Sequence, residues 1–186
     1  MNHFLYYGFS KSLPLFLGFV LVSLLSACNG SQRTVPKPIN FQSKDFQDKL
    51  VNANQMYVKR ESDEIDQYVA HRGWPMTTTG TGLRYMIVSN GKGPLALPDQ
   101  RAKVNYKISL LDGTVCYSSD STGAKEFLIN QDDVESGLHE GIQHMRVGDK
   151  AILILPSYLA HGLIGDQSKI PPHASVMYEL ELLALR

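Results

Sequence analysis

Between Gly82 and Arg186 the hydrophobic residues follow a strand-like period, in segments at Leu83–Val88, Ala102–Leu111, Thr114–Ser118, Glu126–Ile129, Lys150–Pro156 and Ala174–Leu185. Successive side chains of a strand point to opposite faces, so alternation of apolar and polar residues marks a half-buried strand. Only Gly137–Met145 keeps helical spacing, with Leu138, Ile142 and Met145 on one face at i, i+4 and i+7. A single short helix must bury that face against the sheet, which predicts an α+β domain with an antiparallel sheet wrapped on one short helix. Asp112-Gly113 between two of the strand segments predicts a hairpin closed by a type I′ turn, which needs positive φ at both central residues.

A helical arm precedes this domain. From Ser43 to about Arg60, Phe46, Leu50, Ala53 and Tyr57 recur at helical spacing. A second helical pattern follows, with Ser62 as N-cap, Asp63 and Glu64 in the first turn, Ile65, Tyr68 and Val69 on one face, and Gly73 where a C-terminal cap belongs. The pattern fits one long helix or two shorter ones. The arm, residues 43–73, either packs on the domain as a spacer or provides a surface for self-association or for holding clients.

Upstream, an apolar run from Leu13 to Leu25 is shorter than the about 20 residues of a membrane-spanning helix but suits a signal peptide. It ends in Leu25-Ser26-Ala27-Cys28. This segment resembles a bacterial lipobox, in which the cysteine is acylated and the chain is cut before it; a plain signal peptide or an anchor helix with an incidental cysteine is the simpler reading. The lipobox reading gives a signal peptide over 1–27, lipidation at Cys28 and a lipidated tether over 28–42, where Pro36 and Pro38 interrupt any apolar period. It places the chain on the membrane through lipidated Cys28. The absence of an acidic residue directly after Cys28 favours the periplasmic face of the outer membrane, by analogy with lipoprotein sorting. Lys and Arg balance Asp and Glu at 18 each, which argues against nucleic acid as a partner, since that needs a net basic surface.

Within the domain, Val104-Asn105-Tyr106, Leu111-Asp112-Gly113 and Ser118-Ser119 are followed by Val134-Glu135-Ser136-Gly137-Leu138-His139-Glu140-Gly141 and Met145-Arg146-Val147-Gly148-Asp149-Lys150-Ala151. Pro156-Ser157-Tyr158-Leu159-Ala160-His161-Gly162, Ile170-Pro171-Pro172-His173-Ala174 and Tyr178-Glu179-Leu180-Glu181-Leu182 complete the series. In this order the motifs resemble the FKBP-type peptidyl-prolyl cis-trans isomerases and span essentially the whole domain, 82–186. Gly73-Trp74 through Gly82-Leu83-Arg84-Tyr85-Met86 is also similar to lipoproteins associated with gliding motility, a membrane-anchored branch of that family.

The resemblance implies an isomerase that assists the folding of proline-containing exported polypeptides at the cell envelope. It implies catalytic positions at Tyr106, Tyr117 and His161 and substrate-binding positions at Cys116, Phe127, Val134, Glu135, Leu138, Ile170 and Tyr178, with the Glu135 backbone N–H donating to the substrate carbonyl. No cofactor or metal is expected, and His139 and His144, at i and i+5 on a short helix, are poorly spaced for a shared ion. Several positions depart from the family. Cys116-Tyr117 stands where an aromatic and an aspartate are usual; either Tyr117 replaces the acid or a bulge lets it serve as the aromatic. Leu138 replaces an aromatic floor, His161 a loop tyrosine, and Lys125 a further aromatic. These substitutions leave a non-catalytic peptide-binding or chaperone module, or a structural component of an envelope complex, as the competing readings. Cys116, a lone thiol in a strand, reads as a small buried hydrophobe.

Overall fold

The computed structural model describes residues 40–186. The expected signal peptide, Cys28 and the tether up to residue 39 lie outside the described residues. The arm is one continuous helix, α1 (Lys44–Arg72), and Ser62 is interior to it rather than a cap. It stops at Gly73, where φ is +62°. There the Trp74 N–H reaches back to the Val69 carbonyl at 3.3 Å and the Gly73 N–H to Ala70 at 3.0 Å, the paired bonds of a glycine-terminated helix.

The remaining elements are β1 (Thr77–Thr78), β2 (Arg84–Ser89), β3 (Arg101–Leu110), β4 (Val115–Ser118), α2 (Ser119–Thr122), β5 (Lys125–Leu128), α3 (Ser136–Ile142), β6 (Lys150–Leu155), a 3₁₀ turn (Ser157–Leu159) and β7 (Val176–Leu185). The strands form one seven-stranded sheet in the order β1-β2-β6-β7-β3-β4, with β5 sharing the outer edge of β3. Every described pairing is antiparallel. The expected α+β class is therefore the observed one. The two-residue β1 was not foreseen, being too short to show a period.

Two expectations about the β3–β4 hairpin are resolved. Asp112 does not take positive φ; only Gly113 does, at +93°. The Gly113 N–H bonds the Leu110 carbonyl at 3.0 Å and the Leu110 N–H bonds Thr114 at 2.9 Å, so the loop has three residues with glycine at its last position, not a type I′ turn. Asp112 instead uses its carboxylate to accept from the Thr114 N–H at 2.8 Å. Further along, Ser109 pairs with Val115 and Ile108 with Tyr117, which leaves Cys116 as the extra residue of a bulge.

The sheet buries both faces. On one, Leu138, Ile142 and Met145 pack with Val104, Phe127, Ile129, Leu153, Leu155, Val176, Tyr178, Leu180 and Leu182. The helix α3 lies close because its sheet-facing positions include Gly137 and Gly141. A Cβ on Gly141 would sit 2.3 Å from Leu153 Cδ1, and one on Gly137 2.5 Å from Leu155 Cγ. The opposite face carries a cross-strand row of Arg84, Ile154 and Met177, and α1 lies over it. Arg84, 3% exposed, donates through Nη2 to Asp66 at 2.8 Å and Ser62 Oγ at 2.6 Å, and through Nη1 to the Gly82 carbonyl at 2.6 Å. Buried Glu61 accepts from the Ser157 N–H, the Ser157 hydroxyl and the Ser175 hydroxyl. Tyr57 adds a bond to the His173 carbonyl at 3.1 Å.

Candidate functional site

The register of the sheet builds the site. Val104, Tyr106 and Ile108 alternate along β3 and share a face with Tyr178 and Leu180 of β7, through the pairs Ile108–Tyr178 and Tyr106–Leu180. Where α3 does not cover this face, a cavity of about 350 Å³ opens. Those five side chains and Leu138 form its apolar floor and walls, while Tyr117, Glu135, His161, Asp166 and Lys125 stand around it as the polar groups.

Each polar group is held by a different element. Tyr117 comes from β4 just after the bulge at Cys116, and its hydroxyl donates to Asp166 Oδ2. The other oxygen of Asp166 accepts from the Ser168 N–H at 2.9 Å and the Ile170 N–H at 2.7 Å, closing the loop that follows β6. Burial opposes ionisation of this carboxyl, but the bonds from Tyr117, Ile170 and Ser168, with His161 nearby, outweigh it and bring it down to about 2. The same bond raises the Tyr117 phenol above its ordinary value.

Glu135 occupies the N-cap position of α3 without capping it. Its Oε1 lies 3.0 Å from His161 Nε2. Its Oε2 is buried without a hydrogen-bond partner, and its backbone N–H makes no bond, among the described residues. Burial pushes the Tyr178 phenol well above its usual range, and the neighbouring Glu135 carboxylate adds to the effect. Tyr106 is fixed at both ends. Its N–H bonds Ser119 Oγ at 3.1 Å, and its hydroxyl lies 2.9 Å from Thr122 Oγ1 of α2.

Of the positions singled out in the sequence, Tyr106, Tyr117, His161, Glu135, Leu138 and Tyr178 line one cavity. Val134 lines an adjoining depression with Lys125, Glu135 and His161. Cys116, Phe127 and Ile170 are not on the cavity wall. They are 2%, 1% and 2% exposed and belong to the core around it. Phe127 meets the His139 ring edge-on at 5.8 Å, and Cys116 Sγ lies 3.6 Å from the Lys169 carbonyl. Bulging sends the Cys116 thiol inward, where burial raises it above its ordinary value. Tyr117 is thus presented to the cavity beside an acid rather than instead of one. Sequence reasoning missed Asp166 as a wall residue, because no local pattern marks it within a polar loop. Among the described residues no group of three or more His, Cys, Asp or Glu could hold a metal ion.

The family model of FKBP-type peptidyl-prolyl cis-trans isomerases matches residues 93–183. The 22 kDa FKBP-type peptidyl-prolyl cis-trans isomerase of Escherichia coli K12 is 35% identical over 111 residues, covering 59% of this chain and 53% of that protein. The isomerase FkpA of Aeromonas hydrophila is 39% identical over 109 residues, 58% of this chain and 40% of its own. The chain thus spans about half or less of the relatives it matches. In three dimensions it is similar to the peptidyl-prolyl cis-trans isomerase of Pseudomonas syringae, with a TM-score of 0.58 and 28% identity over 70% of this chain and 94% of that one. A similar fold is found in FkpA of Escherichia coli, with a TM-score of 0.58 over 92% of this chain and 94% of that one.

Proposed function

We propose that this chain, whose residues 93–183 match the family model of FKBP-type peptidyl-prolyl cis-trans isomerases, catalyses cis-trans exchange at Xaa-Pro bonds. Rotation about a peptide bond meets a barrier of about 18–20 kcal/mol, because amide resonance must be broken. The twisted transition state has lost the charge separation of the planar amide, so a water-poor apolar cavity favours it over the ground state. Catalysis of this kind is differential binding of a distorted shape and requires no covalent step. Val104, Ile108, Leu138, Tyr178 and Leu180 offer the apolar surface for a proline ring. The unpartnered Glu135 N–H stands at the rim, ready to hold a carbonyl oxygen on one side while the other side turns.

The observation that carries this reading is the joint presence, around one cavity of about 350 Å³, of that apolar floor and of Glu135, whose backbone N–H makes no bond among the described residues. Exchange spectroscopy on a proline tetrapeptide, with the full-length chain in detergent and a His161→Ala variant beside it, tests it. Accelerated exchange that falls in the variant supports an isomerase with His161 at the mouth of the cavity. No acceleration by a folded chain sinks the reading and favours a peptide-binding module. Lys125, exposed at the rim where the family has an aromatic, is the residue that supports this second reading.

The clients on this view are proline-containing exported polypeptides. The chain would meet them at the bacterial envelope, held by acyl chains on Cys28, each buried methylene adding about 0.8 kcal/mol. Labelling with a palmitate analogue that disappears in Cys28→Ala checks the anchor. The gliding-motility likeness of residues 73–86 supports a third, purely architectural reading, a tethered component of an envelope complex, testable by stoichiometric co-purification. Self-association through α1 draws support from exposed Leu50, Val51 and Met56; Leu50→Glu with Met56→Glu should then convert a dimer to a monomer in sedimentation.

A further inference from the structure

The loop Gly162–Ile170 is fastened to the rest of the domain on both sides of the cavity. At its start, His161 pairs with Glu135 at the head of α3. At its far end, Asp166 ties this loop to β4 through one carboxylate. Oδ1 takes the Ser168 and Ile170 N–H groups, and Oδ2 takes the Tyr117 hydroxyl across from β4. The backbone closes the same loop, the Asp166 N–H returning to the Ile170 carbonyl at 3.1 Å. Gly165 packs beneath that carbonyl, where a Cβ would lie 2.2 Å from the oxygen. Ile170 then enters the core, 2% exposed.

We propose that Asp166 is a positioning residue for the isomerase site: its carboxylate holds the Tyr117 phenol as a fixed wall of the cavity. The inference rests on the isomerase reading for its effect on rate. With its proton committed to Asp166, Tyr117 does not donate to a bound peptide and offers its ring face and oxygen lone pairs instead. Donation to the substrate carbonyl then falls to the Glu135 N–H. Lys169, whose Nζ lies 5.1 Å from the centre of the Tyr117 ring, backs the same wall from outside. The acid is supplied by a loop 49 positions away along the chain, not by the strand that carries the tyrosine.

Asp166→Asn separates this role from simple loop closure. The amide oxygen still accepts from Ser168 and Ile170, but the amide nitrogen cannot accept from Tyr117. Tyr117→Phe removes the same bond from the other side and keeps the ring. In the full-length chain, each single variant should lower kcat/KM about tenfold, the scale of one charge-assisted hydrogen bond, and the double variant should lose no more than either. The Tyr117 ¹³Cζ resonance should titrate at lower pH in Asp166→Asn, while the far-UV circular dichroism stays that of the parent. Additive losses, or an Asp166→Asn chain as active as the parent with an unmoved Tyr117 titration, overturn the proposal. If the parent chain catalyses no exchange, the isomerase reading fails by itself. The clamp is then judged on tetrapeptide affinity and the same resonance, and it falls if Asp166→Asn changes neither.

Discussion

Glu61 is a carboxylate on a helix outside the domain proper, yet it is 4% exposed and takes three hydrogen bonds from Ser157 and Ser175. Glu61→Ala strands those donors, and we expect a loss of about 1–3 kcal/mol in urea unfolding, with α1 itself intact by circular dichroism. Asp166 gives a prediction in pH. Its carboxyl is lowered to about 2 in the folded chain, against about 3.9 in an unfolded one. The stability it contributes is therefore complete above about pH 4 and disappears as pH falls through about 2. In Asp166→Asn, the stability difference from the parent should accordingly shrink between these limits. At this scale the sequence was legible where a residue sits inside a period. Tyr106 and Tyr178 reach the cavity because alternation along β3 and β7 sends them there. Asp166 was illegible because its role exists only in the pairing with Tyr117, which no spacing announces.

At the scale of elements, the helix α3 depends on what its sheet-facing side lacks. Gly141→Ala would drive a methyl to within 2.3 Å of Leu153 Cδ1, in a fully packed region. We expect a cost of about 1–3 kcal/mol in thermal or urea unfolding and a shift of Leu153 methyl resonances as the helix backs away. The strands and α3 could be read from periodicity, since period 2 and period 3.6 are unlike. The continuity of α1 could not. Ser62 is a competent cap by type, but its hydroxyl instead takes the Arg84 guanidinium, a tertiary contact that a helix pattern does not contain. The type I′ expectation for Asp112-Gly113 failed similarly. A third loop residue, Leu111, lets Asp112 keep negative φ and spend its carboxylate on Thr114.

In the whole molecule, labour is divided between the two sheet faces. The cavity opens on the α3 face, and α1 covers Arg84 and Ile154 on the other. The proposed exchange activity and the arm α1 are therefore separable in part. A chain lacking everything through Met56 should unfold close to the parent and retain its exchange rate. One lacking everything through Gly73 should expose Arg84 and Ile154, lose thermal stability and aggregate. Light scattering during a thermal ramp distinguishes the two. Helix α1, at 29 residues, is about 43 Å long, so its two ends sit in different surroundings even though it is one element.

The bulge at Cys116 has a consequence for how the loop's motion can be timed. The thiol lies against the Lys169 carbonyl beneath the loop that Asp166 closes, and only 2% of the residue is exposed. A buried thiol of raised pKa reacts with an alkylating reagent only during the moments when its cover lifts. With Cys28 replaced by serine, the labelling rate of Cys116 becomes a clock for those moments. Asp166→Asn should make the clock run faster without unfolding the sheet. The chain thus carries, in a side chain set behind the cavity wall, its own reporter of how often that wall comes away.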